Sequence, residues 1–168
     1  MSAKQEFIDI FKENIKRPGS EKLLEWLSQS DFFIAPASTK YHSAFEGGLV
    51  QHSLNVYKLL KKRCAEYGIT DGESIAICGL LHDICKANFY TISYRNAKNE
   101  RGQWEKVPYY TIEDTIPYGH GEKSVMMITE YMKLTVEEKY AIRWHMGLSE
   151  PKELYSTLSQ AFSKYPLA

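Results

Sequence analysis

The segment SIAICGLLHDICK, residues 74–86, constrains the fold more than any other, because it is apolar on nearly every side. A helix that is hydrophobic all round is buried, so we expect this one to lie at the centre of the molecule. Near its C-terminal end, His82 is followed directly by Asp83. A buried carboxylate without a partner is costly, and a cation is its natural partner.

Three further histidines surround this pair in sequence. His52, His120 and His145 each fall within or beside a predicted helix. A single buried histidine is more often a hydrogen-bonded core residue than a ligand, but that explanation weakens for four histidines with an adjacent aspartate. Imidazole and carboxylate together suit a divalent transition metal. The sequence therefore predicts a metal site assembled from several helices, with spacings unlike those of a zinc finger.

The bulk properties predict one domain over residues 1–168 and exclude several protein classes. Lysine plus arginine and aspartate plus glutamate number 21 each, which argues against coating nucleic acid through bulk charge but leaves a local basic groove open. The N-terminus has no apolar signal core, and no apolar run is long enough to cross a bilayer, so no membrane partner is expected. Three cysteines without a CxxC pair indicate a reducing cytoplasm, and we expect Cys85 to be a small buried residue.

Hydrophobic periodicity predicts a mainly α-helical fold. Leu49, Val56 and Leu59 are expected on the inner face of the third helix, and Thr135 with Glu138 forms a predicted capping box. The predicted helices cover residues 3–15, 20–28, 49–68, 74–86, 118–132, 135–145 and 151–164.

Residues 89–113 change character, because two β-rich stretches flank the turn-like AKNERG. This pattern predicts a two-stranded β-hairpin inserted between helices. Its aromatic residues beside arginines could stack bases and attract phosphates. Aromatic cross-strand pairs also stabilise any small hairpin, and this structural interpretation is favoured. A lid or a docking edge for a partner is the alternative.

Four segments in order resemble those of the HD-domain metal-dependent phosphohydrolases. YHSAFEGGLVQHSLNVY is similar to the first-histidine helix of that family, and GLLHDICK resembles its HDxxK signature. PYGHGEKS and IRWHMG resemble the segments that carry the extra histidines in the bimetallic branch. The resemblance implies an HD-domain helical bundle over residues 41–168, with N-terminal helices in residues 1–40 packed on it.

The resemblance also implies a ligand set. His52, His82 and Asp83 would hold the first metal, and Asp83 would bridge to a second metal held by His120 and His145. In the family a later aspartate completes the first set, on a helix after the last histidine.

This sequence has no aspartate after Asp114, and it ends about where that helix should begin. The resemblance therefore implies either a C-terminally truncated HD core or a first metal with one ligand fewer.

The resemblance implies hydrolysis of a phosphate ester, with a nucleotide as the expected substrate. Two divalent ions about 3.5–4 Å apart supply a metal-activated hydroxide and neutralise charge on the phosphoryl oxygens. Mostly nitrogen ligands favour Mn, Fe, Co, Ni or Zn over Mg. One or two such ions are expected.

Two lysines lie one helical turn after a predicted ligand. Lys86 follows His82 and is assigned with Asp83 to the catalytic group, and Lys86 and Lys123 are predicted to bind the substrate phosphate. A solvated lysine at a helix C-terminus is the competing explanation for Lys86. Arg143 is expected to point to solvent.

Four more residues near the predicted ligands each have two possible roles. Glu46 and Glu122 are candidates to orient imidazoles, with a surface position as the favoured alternative, and Tyr41 and His42 could line the pocket or pack in the loop before the first ligand helix.

Two alternative functions stay open. One is a 3′-to-5′ nuclease acting on single-stranded RNA or DNA, because the GGL segment before His52 resembles that of an exoribonuclease branch. The other is a non-catalytic module that binds a metal or a nucleotide, which the missing terminal aspartate favours.

Overall fold

The computed structural model describes residues 1–40 and 43–168. Within these ranges the fold is mainly α-helical with one antiparallel β-hairpin, as the sequence predicts. The elements in chain order are α1 (Ala3–Asn14), α2 (Ser20–Gln29), α3 (Gly48–Glu66), α4 (Gly72–Leu81), β1 (Tyr90–Lys98), β2 (Trp104–Ile112), α5 (His120–Thr129), α6 (Val136–Arg143) and α7 (Tyr155–Lys164), with single 3-10 turns at Ile84–Lys86, Gly147–Ser149 and Lys152–Leu154.

Helix α4 is the central helix, as its apolar sequence predicts. Every residue from Ser74 to Leu81 is buried, and the helix packs against α1, α3 and α6. The side chain of Asp71 caps its N-terminus by accepting a hydrogen bond from the Ser74 backbone N–H at 3.0 Å. The core around it is built from Phe7, Phe11, Leu23, Leu27, Phe32, Leu49, Leu54, Ile77, Leu80, Leu81, Ile84 and Ile128.

Two glycines allow helices that carry site residues to approach closely. A Cβ atom at Gly79 would lie 2.6 Å from Tyr57 Cα, so α4 touches the backbone of α3 at this point. A Cβ atom at Gly121 would clash with the carbonyl oxygen of Arg143, so the start of α5 touches the end of α6. Both contacts lie within three residues of a predicted histidine ligand.

A buried ion pair joins the N-terminal helices to the rest of the molecule. Arg17 donates two hydrogen bonds of 2.6 Å to the carboxylate of Glu138, which is fully buried. Ser74 donates a third at 2.6 Å, and Glu138 also completes the capping box with Thr135. Burial raises the pKa of the Glu138 carboxyl, but the hydrogen bonds from Arg17 and Ser74 outweigh burial and hold it below its ordinary value. The carboxylate therefore stays charged at neutral pH.

The predicted hairpin is present, with Tyr90 paired to Ile112 at its base and Lys98 paired to Trp104 near its tip. It is inserted between the turn after α4 and the start of α5. Tyr94 and Trp104 are largely exposed on it.

Among the helices that the structure describes, none has the length and hydropathy needed to cross a membrane.

The structure corrects three details of the helix predictions. Leu59 is exposed. Each residue of an α-helix advances about 100° around the helix axis, so Leu59, ten residues after Leu49, lies roughly 80° away from it. Helix α6 ends at Arg143, so His145 lies in the turn that follows rather than in the helix. The last predicted helix begins as a 3-10 turn at Lys152–Leu154 before α7.

Replacing Gly79 by alanine should destabilise the fold. The added methyl group would press on the backbone of Tyr57, and overpacking of this kind costs about 1–3 kcal/mol. Urea denaturation followed by circular dichroism measures the loss. Gly72→Ala is the matched control, because a Cβ atom there meets Asn14 at 3.9 Å and needs no rearrangement. Equal stabilities of the two variants would contradict the close approach of α3 and α4.

Candidate metal centre

Four imidazoles from four parts of the chain converge on the carboxylate of Asp83. His52 lies in the second turn of α3, His82 is the C-cap residue of α4, His120 begins α5, and His145 follows α6. Asp83 itself is buried, with 2% of its side chain exposed. The sequence prediction that these distant residues come together is therefore met by the geometry.

The two oxygens of Asp83 face different pairs of histidines. Oδ2 lies 3.3 Å from His52 Nε2 and 3.5 Å from His82 Nε2. Oδ1 lies 2.8 Å from His120 Nε2 and 3.3 Å from His145 Nε2. Each set of three residues offers ligand atoms that all lie within 4.8 Å of one another. The cluster thus consists of two three-residue sets that share one carboxylate.

Backbone carbonyl groups fix the direction of two of the rings. His82 Nδ1 lies 3.0 Å from the carbonyl oxygen of Gly79, and His145 Nδ1 lies 2.7 Å from that of Ile142. A carbonyl oxygen can only accept, so each ring must carry its proton on Nδ1. Nε2 of a neutral ring then presents a lone pair to the centre of the cluster. In both cases the ring bonds a carbonyl three residues earlier, at the end of a helix.

His120 is held differently, because its Nδ1 lies 3.4 Å from the sulfur of Cys85. Cys85 is buried, as the sequence predicts. Burial raises the pKa of its thiol to about 12.

The electrostatics of the cluster favour a charged carboxylate beside a neutral His82 ring. Burial lowers the pKa of His82, which keeps this ring neutral at pH 7. Burial alone would raise the pKa of Asp83, but its interactions with His82 and the other imidazoles hold it well below its ordinary value. Lys86 adds a positive charge, since its Nζ donates to Asp83 Oδ2 at 2.7 Å.

The residues present fit a divalent cation. His145 Nε2 is buried and has no hydrogen-bond partner among the described residues. His52 Nε2 and His82 Nε2 face each other at 3.1 Å. A buried polar atom without a partner is rare in a folded protein and requires an explanation such as an ion. Neutral imidazole nitrogens with a carboxylate oxygen are ligands of the type that transition metals prefer.

A cleft of about 780 Å³ opens beside the first set of ligands. Its polar lining includes His52, His82, Asp83, His145 and Lys86. Apolar side chains form much of the rest, among them Val56, Leu60, Ala141, Met146 and Leu167. Pockets of this size, with apolar walls and a few converging polar groups, are typical of small-molecule sites.

Other predicted residues lie outside this cluster of ligand atoms. Lys123 is buried, with its Nζ 2.7 Å from Asp114 and 5.1 Å from the centre of the Phe89 ring. It therefore joins α5 to both ends of the hairpin, because Phe89 precedes β1 and Asp114 follows β2.

Arg143 does not point freely to solvent, which corrects the prediction made for it. Its guanidinium binds Glu122 at 2.6 Å and Glu150 at 2.7 Å, and stacks over the Trp144 ring. Arg143 lies two residues before His145, so its ion pairs hold the start of α5 to the segment that follows α6. Glu122 thus pairs with an arginine.

Glu46 is exposed. Tyr41 and His42, predicted to line the pocket or to pack in the loop, lie outside the described residues.

Comparison with known proteins agrees with the geometry. The family model of the HD domain matches residues 49–165. The chain belongs to the HD domain family. All five residues of the cluster lie in the matched range, and membership in this family implies a divalent metal.

A curated relative is the dihydroneopterin 2′,3′-cyclic phosphate phosphodiesterase of Methanocaldococcus jannaschii. It is 31% identical over 84 residues, which cover 47% of this chain and 31% of the relative. The chain thus spans less than a third of the length of that protein. No solved structure matches the chain.

Sequence reasoning missed the groups that orient the imidazoles. The acceptors for His82 and His145 are backbone carbonyls, which leave no residue-type signal. The contact between Cys85 and His120 joins residues 35 positions apart. Its only signal in the sequence is that Cys85 sits next to the His-Asp pair.

The carbonyl contacts predict the tautomers of two histidines in the metal-free protein. In their neutral forms, His82 and His145 should both carry the proton on Nδ1. Long-range ¹H–¹⁵N correlation spectra of the imidazoles distinguish the two tautomers directly. A proton on Nε2 of either ring would mean that its lone pair does not face Asp83.

Proposed function

We propose that this chain is a metal-dependent phosphohydrolase whose ions are held by His52, His82, Asp83, His120 and His145. One observation carries the proposal: the two oxygens of a single buried carboxylate face two separate pairs of histidines. His52, His82 and Asp83 would hold one divalent ion, and Asp83, His120 and His145 would hold a second. Asp83 is accordingly the residue on which both ion sites depend.

The protein side chains bind and orient. Bound divalent ions would supply a water whose pKa is lowered toward neutrality and would neutralise charge that develops on phosphoryl oxygens. His82 and His145 keep their lone pairs directed to the centre through their contacts with Gly79 and Ile142. The nitrogen-rich ligand set favours Mn, Fe, Co, Ni or Zn over Mg.

Lys86 is the lysine best placed to contact a phosphate. It lines the cleft, and 18% of its side chain is exposed. With a cation bound to Asp83, the amino group of Lys86 would become available to a phosphoryl oxygen. Lys123 can take the predicted role at the substrate only if its amino group leaves Asp114, at a distance of 2.7 Å.

A small phosphate ester, with a nucleotide as the best candidate, is the substrate that the cleft supports. Val56, Leu60 and Met146 provide an apolar wall beside the ligands, against which a flat base can pack. The volume of about 780 Å³ is sufficient for a mononucleotide. The relative named above acts on a cyclic phosphate, which makes a 2′,3′-cyclic nucleotide a reasonable first substrate to test.

One observation favours a nuclease as the second candidate. Cations lie over exposed aromatic rings on the hairpin, with Lys98 5.3 Å from the centre of the Trp104 ring and Arg95 5.6 Å from that of Tyr109. Such pairs can stack and neutralise a single strand. An oligonucleotide substrate therefore belongs in the same assay.

Binding of ions should stabilise the fold through Asp83. An ion present at 100 times its dissociation constant adds about 2.7 kcal/mol to the free energy of unfolding. We expect Mn, Co, Ni or Zn to raise the midpoint of thermal unfolding of the metal-free protein. Asp83→Asn should lose this increment, because the bridging charge is removed, whereas Asp9→Asn, at an exposed carboxylate of α1, should retain it. A full increment in Asp83→Asn would place the ions elsewhere.

Hydrolysis tests the activity itself. Protein loaded with Mn, Co or Ni should hydrolyse nitrophenyl phosphate esters or a 2′,3′-cyclic nucleotide. His82→Ala and Asp83→Ala should each abolish turnover, while Asp9→Asn leaves it unchanged and circular dichroism shows all variants folded. Lys86→Met should mainly raise KM, because it removes a contact to the phosphate.

The remaining outcomes separate the alternatives. Wild-type turnover in either ligand variant would contradict the enzyme proposed here. Turnover confined to single-stranded oligonucleotides would favour the nuclease. Ion binding without turnover on any of these substrates would favour a non-catalytic binding module.

A further inference from the structure

We infer that Cys85 is a positioning residue, which directs the imidazole of His120 toward Asp83 and thereby sets the ion affinity of the Asp83–His120–His145 set. This inference rests on the function proposed above. Its starting point is the asymmetry among the ring contacts: His82 and His145 bond backbone carbonyls, whereas His120 contacts a thiol sulfur.

The His120 ring is held at both of its nitrogens. Nδ1 lies 3.4 Å from Cys85 Sγ, and Nε2 lies 2.8 Å from Asp83 Oδ1. With the proton on Nδ1, the ring donates to sulfur and presents the Nε2 lone pair to the ion site. With the proton on Nε2, the ring donates to Asp83 instead and offers no lone pair to an ion. The carboxylate is the stronger acceptor, so the metal-free protein favours Nε2–H, with Nδ1 accepting from the Cys85 thiol. An ion bound at Nε2 requires the proton on Nδ1, and Cys85 Sγ is then the acceptor for that proton.

The position of Cys85 is itself fixed relative to His120. Its side chain is buried in the 3-10 turn Ile84–Lys86, directly after Asp83. Its backbone N–H donates to the hydroxyl of Ser124 at 3.3 Å, and Ser124 lies one turn along α5 from His120. The donor ring and the acceptor sulfur are thus attached to two segments that are bonded to each other.

Among the groups that contact the ring nitrogens opposite Asp83, Cys85 is the one that a side-chain substitution can remove. The carbonyls of Gly79 and Ile142 cannot be removed by changing a side chain, whereas the sulfur can. Sulfur is a weak acceptor, so its contribution is expected to be smaller than that of a carbonyl. Loss of an orienting partner of a metal ligand typically lowers metal affinity about 10–100-fold.

The first test reads the Nδ1–H of His120 in the Zn-loaded protein by long-range ¹H–¹⁵N spectra. Wild type should show the proton on Nδ1. Cys85→Ala removes the acceptor for that proton, so its signal should shift and exchange faster with water, while those of His82 and His145 stay unchanged. Cys85→Ser retains an acceptor and should restore the wild-type signal. Cys64→Ala is the matched control, since Cys64 is also buried but lies on α3.

The second test measures affinity with Co(II) as the probe, by titration followed by visible absorption and calorimetry. Wild type should bind two ions in steps. Cys85→Ala should weaken one step by about 10–100-fold and leave the other unchanged, with Cys85→Ser closer to wild type. Cys64→Ala should match wild type in both steps.

The outcomes separate this inference from the proposed function. If Cys85→Ala matches wild type in the His120 Nδ1–H signal and in both Co(II) affinities, Cys85 has no positioning role. If wild type binds no Co(II), the proposed function fails, and so does the effect of Cys85 on ion affinity. Cys85→Gly, which also removes the sulfur, replaces Cys85→Ala if circular dichroism shows that the alanine variant is unfolded.

Discussion

The structure depends on one buried negative charge. Asp83 lies at the end of the most apolar helix of the chain, where an uncompensated carboxylate would be strongly destabilising. Four imidazoles and the amino group of Lys86 surround it. The rest of the fold brings these groups together. Helices α3 and α6 pack on α4, and α5 packs on the turn after α4, so that their histidines reach the carboxylate. The same buried charge that would destabilise the core is the feature that makes a cation site possible.

Much of this arrangement could be predicted from the sequence. The apolar segment that precedes His82 predicts a central helix, the capping box predicts the start of α6, and the β-rich stretches predict the hairpin; the structure confirms each. The order of the histidines, with its resemblance to a known family, predicts which side chains converge. These features are encoded locally, in periodicity, in capping residues and in short segments of characteristic sequence.

The remainder depends on tertiary contacts that no local pattern encodes. Helix α6 ends early because the ring of His145 takes the carbonyl of Ile142 that the next turn of helix would use. Arg143 is drawn from solvent by Glu122 and Glu150, which lie 21 positions before it and 7 after it. The contact between Cys85 and His120 arises only because α5 returns to the turn after α4. Each of these details requires knowledge of which segments are neighbours in space.

The attachment of the hairpin has a consequence for how such a chain can diversify. Lys123 contacts Phe89 at one leg and Asp114 at the other, so both ends of the insertion are anchored to the helix that begins with His120. The tip, residues 99–103, lies at the other end of a ladder of nine residue pairs. Sequence and length at the tip can therefore vary without moving the four histidines around Asp83, which makes the hairpin an exchangeable appendage on a fixed helical scaffold.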